Sequence, residues 1–272
     1  MLATAARLRY KGGTMFFFVI KKSFFDFWDH FLPSVLINLG FIIVLAVPTL
    51  APGWFADGAR AVSLVVFALG VLLLFVYTGA ASLFARDIVD YQPLEWSAIG
   101  GYLRSSWKSS VALGTLYLLH AFLLSVALPV YVAMGTVCSL AALAFLFWAS
   151  VIWLVASAYY LPVAARLDTR IPRIVRKSFL LFFDNTGFSL MVALGALLLS
   201  LVSVFTAMLI PGVMGVLTWI HAAAKLRLYK YDYLEANPGA NRRDIPWDDL
   251  LFDDRERVGK RTFRGMIFPW KE

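Results

Sequence analysis

The sequence has few of the residues on which enzyme chemistry usually depends. Of its 272 residues, 15% are charged, three are histidine and one is cysteine. The single cysteine, Cys138, excludes a disulfide or a cysteine-based metal site within one chain. The sequence also lacks a phosphate-binding glycine loop followed by lysine, a paired-histidine zinc motif and a nucleophile elbow. We therefore predict a protein that is not an enzyme and that needs no cofactor.

Apolar residues, by contrast, are in excess. They make up 61% of the chain, and the mean hydropathy is +0.75, whereas soluble domains are roughly half apolar and a quarter charged. No change in composition along the chain marks a separate globular domain. The composition predicts one all-α membrane domain.

Six apolar stretches are predicted to cross the membrane, because a span needs about 20 mostly apolar residues. The first five are residues 31–50, 61–84, 111–133, 137–164 and 188–209. The sixth, residues 212–226, is the weakest, and its length also suits a tilted or partly interfacial helix.

Positive charge is confined to alternate connections between these spans. Of the 25 Lys and Arg residues, all except Arg60 lie in the N-terminal segment, after the second span, after the fourth span or in the C-terminal tail. Because Lys and Arg are retained on the cytoplasmic side, we expect a multi-pass protein of the bacterial plasma membrane with both termini in the cytoplasm. The formal net charge of +8 then indicates anionic lipid headgroups, and not nucleic acid, as partners.

Two segments 155 positions apart are closely alike. One begins at Val19 and reads "VIKKSFFDFWDHFLPSVLINLG"; the other begins at Ile174 and reads "IVRKSFLLFFDNTGFSLMVALG". Each starts with an amphipathic helical pattern and runs directly into a span. A weaker third copy precedes the third span, where Val-Ala-Leu-Gly at 111–114 matches the same letters at 192–195.

The copies divide the chain into three units, each an interfacial helix, a span going out, a short turn and a span returning. Two spans per unit make the repeats parallel, unlike the inverted repeats of many transporters. The predicted fold is a polytopic membrane helix bundle, with six transmembrane helices in three parallel hairpin repeats, each preceded by an interfacial amphipathic helix. The bundle takes up residues 15–234, and residues 235–272 form a cytoplasmic tail.

Residues 1–14 are a possible non-native leader. Lys11, Gly12 and Gly13 can be encoded by a purine-rich stretch that resembles a bacterial ribosome-binding sequence, and Met15 follows closely. We hypothesise that natural translation starts at Met15. The predicted topology is the same in either case.

Two polar residues inside predicted spans form a candidate intramembrane site. His120 lies near the middle of the third span, where it either hydrogen-bonds a neighbouring Tyr or Ser or relays protons. Asn38, in the first span, is either a polar contact between helices or a ligand for a substrate. His221, close to the end of the sixth span, is predicted to pack at the interface.

Aromatic and basic residues form a candidate docking site for a partner. The tail mixes acidic and basic patches with aromatic residues, which disordered charged tails usually lack. It is predicted to bind the membrane surface, to fold back on the protein's own cytoplasmic face, or to hold a partner. The candidate docking residues are Trp247, Phe252, Phe263, Phe268 and Trp270 of the tail, with Arg173, Arg176 and Lys177 of the third interfacial helix.

Four short stretches carry a resemblance to a known family. They are "LRSSWKSSVALG", "YYLPVAARLD", "VRKSFLLFFDN" and "PGVMGVLTWI". With them the chain, from about Met15 to Tyr233, resembles the YesL-type family of bacterial integral membrane proteins, a family without an established activity. The resemblance implies an accessory protein encoded with carbohydrate uptake systems, and it supplies no catalytic residues. The long tail departs from the short end typical of that family.

Two functions follow as expectations. The first is a non-enzymatic accessory or scaffold protein that docks a partner on the cytoplasmic face, such as a membrane-bound sugar-transporter complex. The alternative is a small-molecule permease or carrier, with His120 and Asn38 at a midplane polar site.

Overall fold

The structure, a computed structural model, describes residues 12–55, 59–242, 245–259 and 261. Within these ranges the chain is helical and contains no strand. The helices are α1 Gly12–Asp29, α2 Phe31–Leu50, α3 Arg60–Val89, α4 Ile99–Met134, α5 Val137–Ser157, α6 Tyr160–Arg166, α7 Ile171–Asp184, α8 Thr186–Phe205, α9 Gly212–Ala236, α10 Trp247–Leu250 and α11 Phe252–Val258. The predicted all-α class is confirmed.

Five helical stretches are long and apolar enough to cross a membrane. They are Phe31–Phe55, Arg60–Val89, Trp96–Met134, Val137–Arg166 and Thr186–Phe205. Their outer faces carry large apolar side chains, of which Val137 is 86% exposed and Phe205 is 90% exposed. Contiguous apolar surface on this scale does not occur on soluble monomers, whereas in lipid it is the expected outer surface.

The sixth predicted span, in α9, is the central helix of the bundle. Its first half is buried on every side by α1, α2, α3 and α8. The buried residues include Thr218 and the small residues 222–224. Small and polar side chains make a helix less apolar, and here they face protein instead of lipid. This explains the weak signal of residues 212–226, which do not belong to the five stretches above.

The first and third units have matching helix boundaries. α1 ends at Asp29 and α7 at Asp184, while α2 begins at Phe31 and α8 at Thr186. Each pair has the 155-residue spacing of the sequence repeat. The backbone leaves helical geometry at His30 and Asn185, with φ of −117° and −136°. The amphipathic helix and the span are therefore separate in both units.

The middle unit differs from the prediction, because its interfacial segment and its span form one helix. α4 runs without a break for 36 residues, about 54 Å at 1.5 Å per residue. When the Val-Ala-Leu-Gly segments are aligned, Arg104 stands where Asn185 breaks the third unit. Arg favours a helix interior and Asn favours its ends, which explains the continuous helix.

The first interfacial helix is also more deeply packed than predicted. α1 contacts α9, α3 and α11, and Val19 and Lys22 on this face are fully buried. Its opposite face carries Phe17, which is 70% exposed. The basic side of the helix thus faces the protein, because Lys22 has acidic partners there.

The repeated Leu-Gly pair has the same packing role in the first and third units. A methyl group at Gly40 would collide with the ring of Tyr77, and one at Gly195 with the ring of Trp219. The Tyr77 hydroxyl donates to the carbonyl of residue 37 at 2.8 Å, and Trp219 Nε1 donates to that of residue 192 at 2.9 Å. These carbonyls are again 155 residues apart. Glycine at this position lets an aromatic side chain of α3 or α9 approach the backbone.

Candidate functional site

Charged side chains meet at one end of the bundle, which we call the charged end. There Asp90, just after α3, pairs with Arg166 of α6 at 2.5 Å and with Lys225 of α9 at 3.4 Å. Lys and Arg from the N-terminal helix, the middle connections and the tail all contribute to this end. The sequence predicted this segregation of basic groups.

A buried ion cluster lies at the centre of the charged end. Lys22 of α1 is fully buried and pairs with Asp26 at 2.9 Å and with Asp254 of α11 at 3.2 Å. Asp254 also pairs with Lys225 at 3.3 Å and accepts a hydrogen bond from the Tyr229 hydroxyl at 3.0 Å. Buried charges are tolerated only when they are paired and hydrogen-bonded. The cluster therefore fixes α1, α9 and α11 relative to one another.

The pKa values of the two carboxyl groups of the cluster are shifted in opposite directions. Burial raises the pKa of Asp26 to about 6, and the attraction of Lys22 offsets only part of the effect. Burial also disfavours the charge of Asp254, but Lys22 and Lys225 outweigh it and hold the pKa of Asp254 below its usual value. At neutral pH both carboxyl groups are ionised.

Asp26 gives the protein a stability that depends on pH. A raised pKa means that the folded state binds the proton more tightly, so this contribution is complete below about pH 4 and is lost as the pH rises through about 6. We expect the apparent Tm in detergent to fall as the pH rises from 4.5 to 7.5. The corresponding loss in the free energy of unfolding is at most about 3 kcal/mol. The pKa of Asp254 is shifted in the opposite direction, so Asp254 titrates below this window. The facing Tyr91 stays neutral across it, because burial raises its pKa above the usual value.

The substitution Asp26→Asn should remove most of this pH dependence. Thermal melts of wild type and variant across the window provide the measurement, and Asp29→Asn is the matched control because Asp29 lies on the same helix and is exposed. An unchanged slope in Asp26→Asn would assign the pH response to another group.

The described part of the tail folds back on the charged end. Leu251 is fully buried, Val258 is nearly so, and Trp247 packs against the same apolar cluster as Leu251. Lys21 donates to the carbonyl of Gly259 at 3.1 Å. Of the three predicted alternatives for the tail, the structure shows that residues 245–259 fold back on the protein itself. The predicted docking residues Phe263, Phe268 and Trp270 lie outside the described residues.

The remaining predicted docking residues are arranged on the surface of the charged end. Phe252 is 63% exposed. Arg173 and Arg176 are exposed on α7, beside the exposed Leu180. Lys177 is partly buried, because its ammonium group pairs with Asp168 at 3.1 Å and donates to the carbonyl of Leu167 at 3.2 Å. Phe252, Arg173 and Arg176 are therefore accessible to a partner, and Lys177 is less so.

The two residues of the predicted intramembrane site contact different elements. Asn38 is buried and holds the start of α9: its Nδ2 donates to the carbonyls of Leu209 and Pro211, both at 2.9 Å, and its Oδ1 accepts from the Met214 amide at 2.8 Å. His120, half-buried on α4, lies with its ring 6.4 Å from that of Trp153 on α5. Neither residue lines the cavity described next.

An open cavity of about 440 Å³, lined by both apolar and polar residues, lies between α3, α4 and α6, and we call it the serine cavity. It extends from Arg86 down to Gly79, about 10 Å along α3. Its lining includes Ser82, Arg86, Tyr102, Ser105, Ser106, Ser109 and Thr169. The cavity was not predicted from the sequence. The available signal was the Ser-rich stretch "SSWKSS" at the start of the third span.

A buried histidine lies next to this cavity. His221 is fully buried, and its Nε2 lies 2.7 Å from the hydroxyl of Ser82, which lines the cavity. Its Nδ1 has no hydrogen-bond partner among the described residues. The prediction of interface packing for His221 is wrong, because the close approach of α3 and α9 places the residue inside the protein.

Among the described residues, no group of three or more His, Cys, Asp or Glu side chains is placed to hold a metal ion. The candidate sites are the serine cavity and the buried ion cluster of the charged end. Comparison with known proteins finds no matching family model, no similar curated protein and no similar solved structure.

Proposed function

We propose that the chain is a six-span protein of the bacterial inner membrane, built from three parallel hairpin units, with its charged end in the cytoplasm. The central position of α9 supports the sixth span, because a helix enclosed by membrane helices shares their environment. The matched contacts of Gly40 and Gly195 support the repeat. The confinement of basic residues to one end supports the orientation.

At this charged end the protein acts as a non-enzymatic accessory or scaffold protein that docks a membrane-protein partner. The observation that carries this proposal is the exposed surface formed by Arg173, Arg176 and Leu180 on α7. Phe252 of the tail is a separate exposed apolar residue. Arg beside apolar side chains is the composition of protein interfaces. The partner would present acidic groups at the cytoplasmic membrane surface, and a sugar-transporter complex fits the resemblance to the YesL-type family.

Docking can be tested by charge reversal on α7. The double variant Arg173→Glu and Arg176→Glu should lose its partner in pull-downs from native membranes, because like charges then face each other. Arg60→Glu is the matched control, since Arg60 is exposed at the opposite end of α3. Recovery of the same proteins with the double variant, or no reproducible partner for the wild type across several mild detergents, would count against docking.

A small-molecule carrier is the second candidate, and the serine cavity favours it. Polar residues within a membrane protein face cavities and mark solute pathways more often than they face lipid. The position of this candidate site differs from the predicted one, because the cavity is lined by α3, α4 and α6 and does not include Asn38 or His120. Uptake into proteoliposomes separates a carrier from a binding protein.

A further inference from the structure

The serine cavity carries no net charge. Its one charged lining residue, Arg86, pairs with Asp87: Nε donates to Oδ1 at 2.8 Å, and Nη2 lies 2.8 Å from the same oxygen. Tyr102 donates a further hydrogen bond to Asp87. An anionic ligand would compete with Asp87 for Arg86, and a cationic ligand would meet a guanidinium group without a free carboxylate. The cavity therefore suits an uncharged molecule.

The cavity presents hydrogen-bond acceptors. The hydroxyls of Ser105 and Ser106 donate to the carbonyl of Tyr102 at 3.1 and 2.8 Å, and Ser109 donates to the carbonyl of Ser106 at 2.9 Å. Each hydroxyl hydrogen is engaged within α4, so each oxygen keeps lone pairs for a donor from outside. A ligand that fits this wall carries several O–H or N–H groups.

We propose that the serine cavity binds a small neutral solute rich in hydroxyl groups, a polyol or sugar. Its volume lies within the range of about 300–1,000 Å³ typical of ligand pockets. Ligand hydroxyls donate to the oxygens of Ser105, Ser106 and Ser109 and accept from Arg86, all of which line the cavity. The inference does not require the docking function, because a purified protein can bind such a solute without a partner.

The test uses two adjacent glycines of α4. Gly101 lines the cavity and Gly100 does not, both are exposed, and a side chain added at either one meets no atom within 4 Å. Gly101→Leu should therefore fill the cavity without disturbing the fold, and Gly100→Leu is its matched control. Purified wild type and variants are compared by equilibrium dialysis with radiolabelled D-glucose and D-mannitol, and with charged D-gluconate and D-glucosamine.

We expect saturable binding of at least one neutral probe to wild type and to Gly100→Leu, with binding to Gly101→Leu weaker by about tenfold or more. The charged analogues should not compete. Absence of saturable binding to wild type would overturn the proposal, and so would equal binding by Gly101→Leu or equal affinity for the charged analogues. Failure of docking alone would leave these results unchanged, so the two proposals can fail separately.

Discussion

Replacing Asp254 with alanine is expected to release the tail from the charged end and to destabilise the protein by about 3 kcal/mol. Removing one partner of a buried ion pair costs about 3–5 kcal/mol, because the other charge stays buried without compensation. Asp254 is the acidic partner shared by Lys22 and Lys225. Lys22 keeps Asp26 in the variant, which places the expected cost at the lower limit.

Two measurements check this expectation. Trypsin should cleave after Arg257 at least about tenfold faster in Asp254→Ala, because Arg257 lies within α11 beside the buried Val258 and is cut only after local opening. The apparent Tm in detergent should fall at the same time. Asp253→Ala is the matched control, since Asp253 is the adjacent, exposed carboxylate. Equal cleavage rates for the two variants would show that the ion cluster does not hold the tail.

Replacing Asn38 with leucine is expected to have a comparable or larger effect, a loss of at least about 3 kcal/mol. The side chain is of similar size but lacks the amide, so it leaves the carbonyls of Leu209 and Pro211 and the amide of Met214 without their partner. Each buried, unsatisfied group costs about 1–3 kcal/mol. Gly212, with φ of +60°, packs directly against Asn38, so little relaxation is available to restore these bonds.

The expected result is a loss of folded, monodisperse protein on gel filtration and a lower apparent Tm. Asn237→Leu is the control: Asn237 is exposed, and its amide donates to the nearby carbonyl of Tyr233 at 2.9 Å. Stability equal to wild type in Asn38→Leu would mean that the start of α9 does not depend on this contact. A defect in solute transport with unchanged stability would instead favour the role of substrate ligand.

The sequence repeat aligns the ends of α1 and α7, which lie at Asp29 and Asp184. Amphipathic periodicity and helix breaks are local properties, so a sequence can indicate them. The repeat did not predict that Gly40 and Gly195 each make room for an aromatic ring, since the rings of Tyr77 and Trp219 come from other helices. It also predicted a separate interfacial helix in the middle unit, where Arg104 continues α4 instead.

The candidate sites also depend on contacts between distant segments, which the sequence does not show. Asn38 was recognised as polar within a span, but its three hydrogen bonds reach residues more than 170 positions away. In the sequence, Lys22 is one basic residue of an amphipathic helical pattern. In the structure it pairs with Asp254 of the tail. The serine cavity went unnoticed because serine is common in membrane helices. The cavity exists only because residues of α3, α4 and α6 come together around one volume.

The sequence by itself determined the helical membrane class, the positions of five spans and the segregation of charge. These follow from hydropathy and from the preference of Lys and Arg for one side, which act residue by residue along the chain. Only the tertiary structure decided that α9 is central, that the tail seals a buried ion cluster and that a neutral cavity lies beside His221. Those features depend on contacts between distant segments, and burial changes the energy of a charge or a hydroxyl only after such contacts have formed.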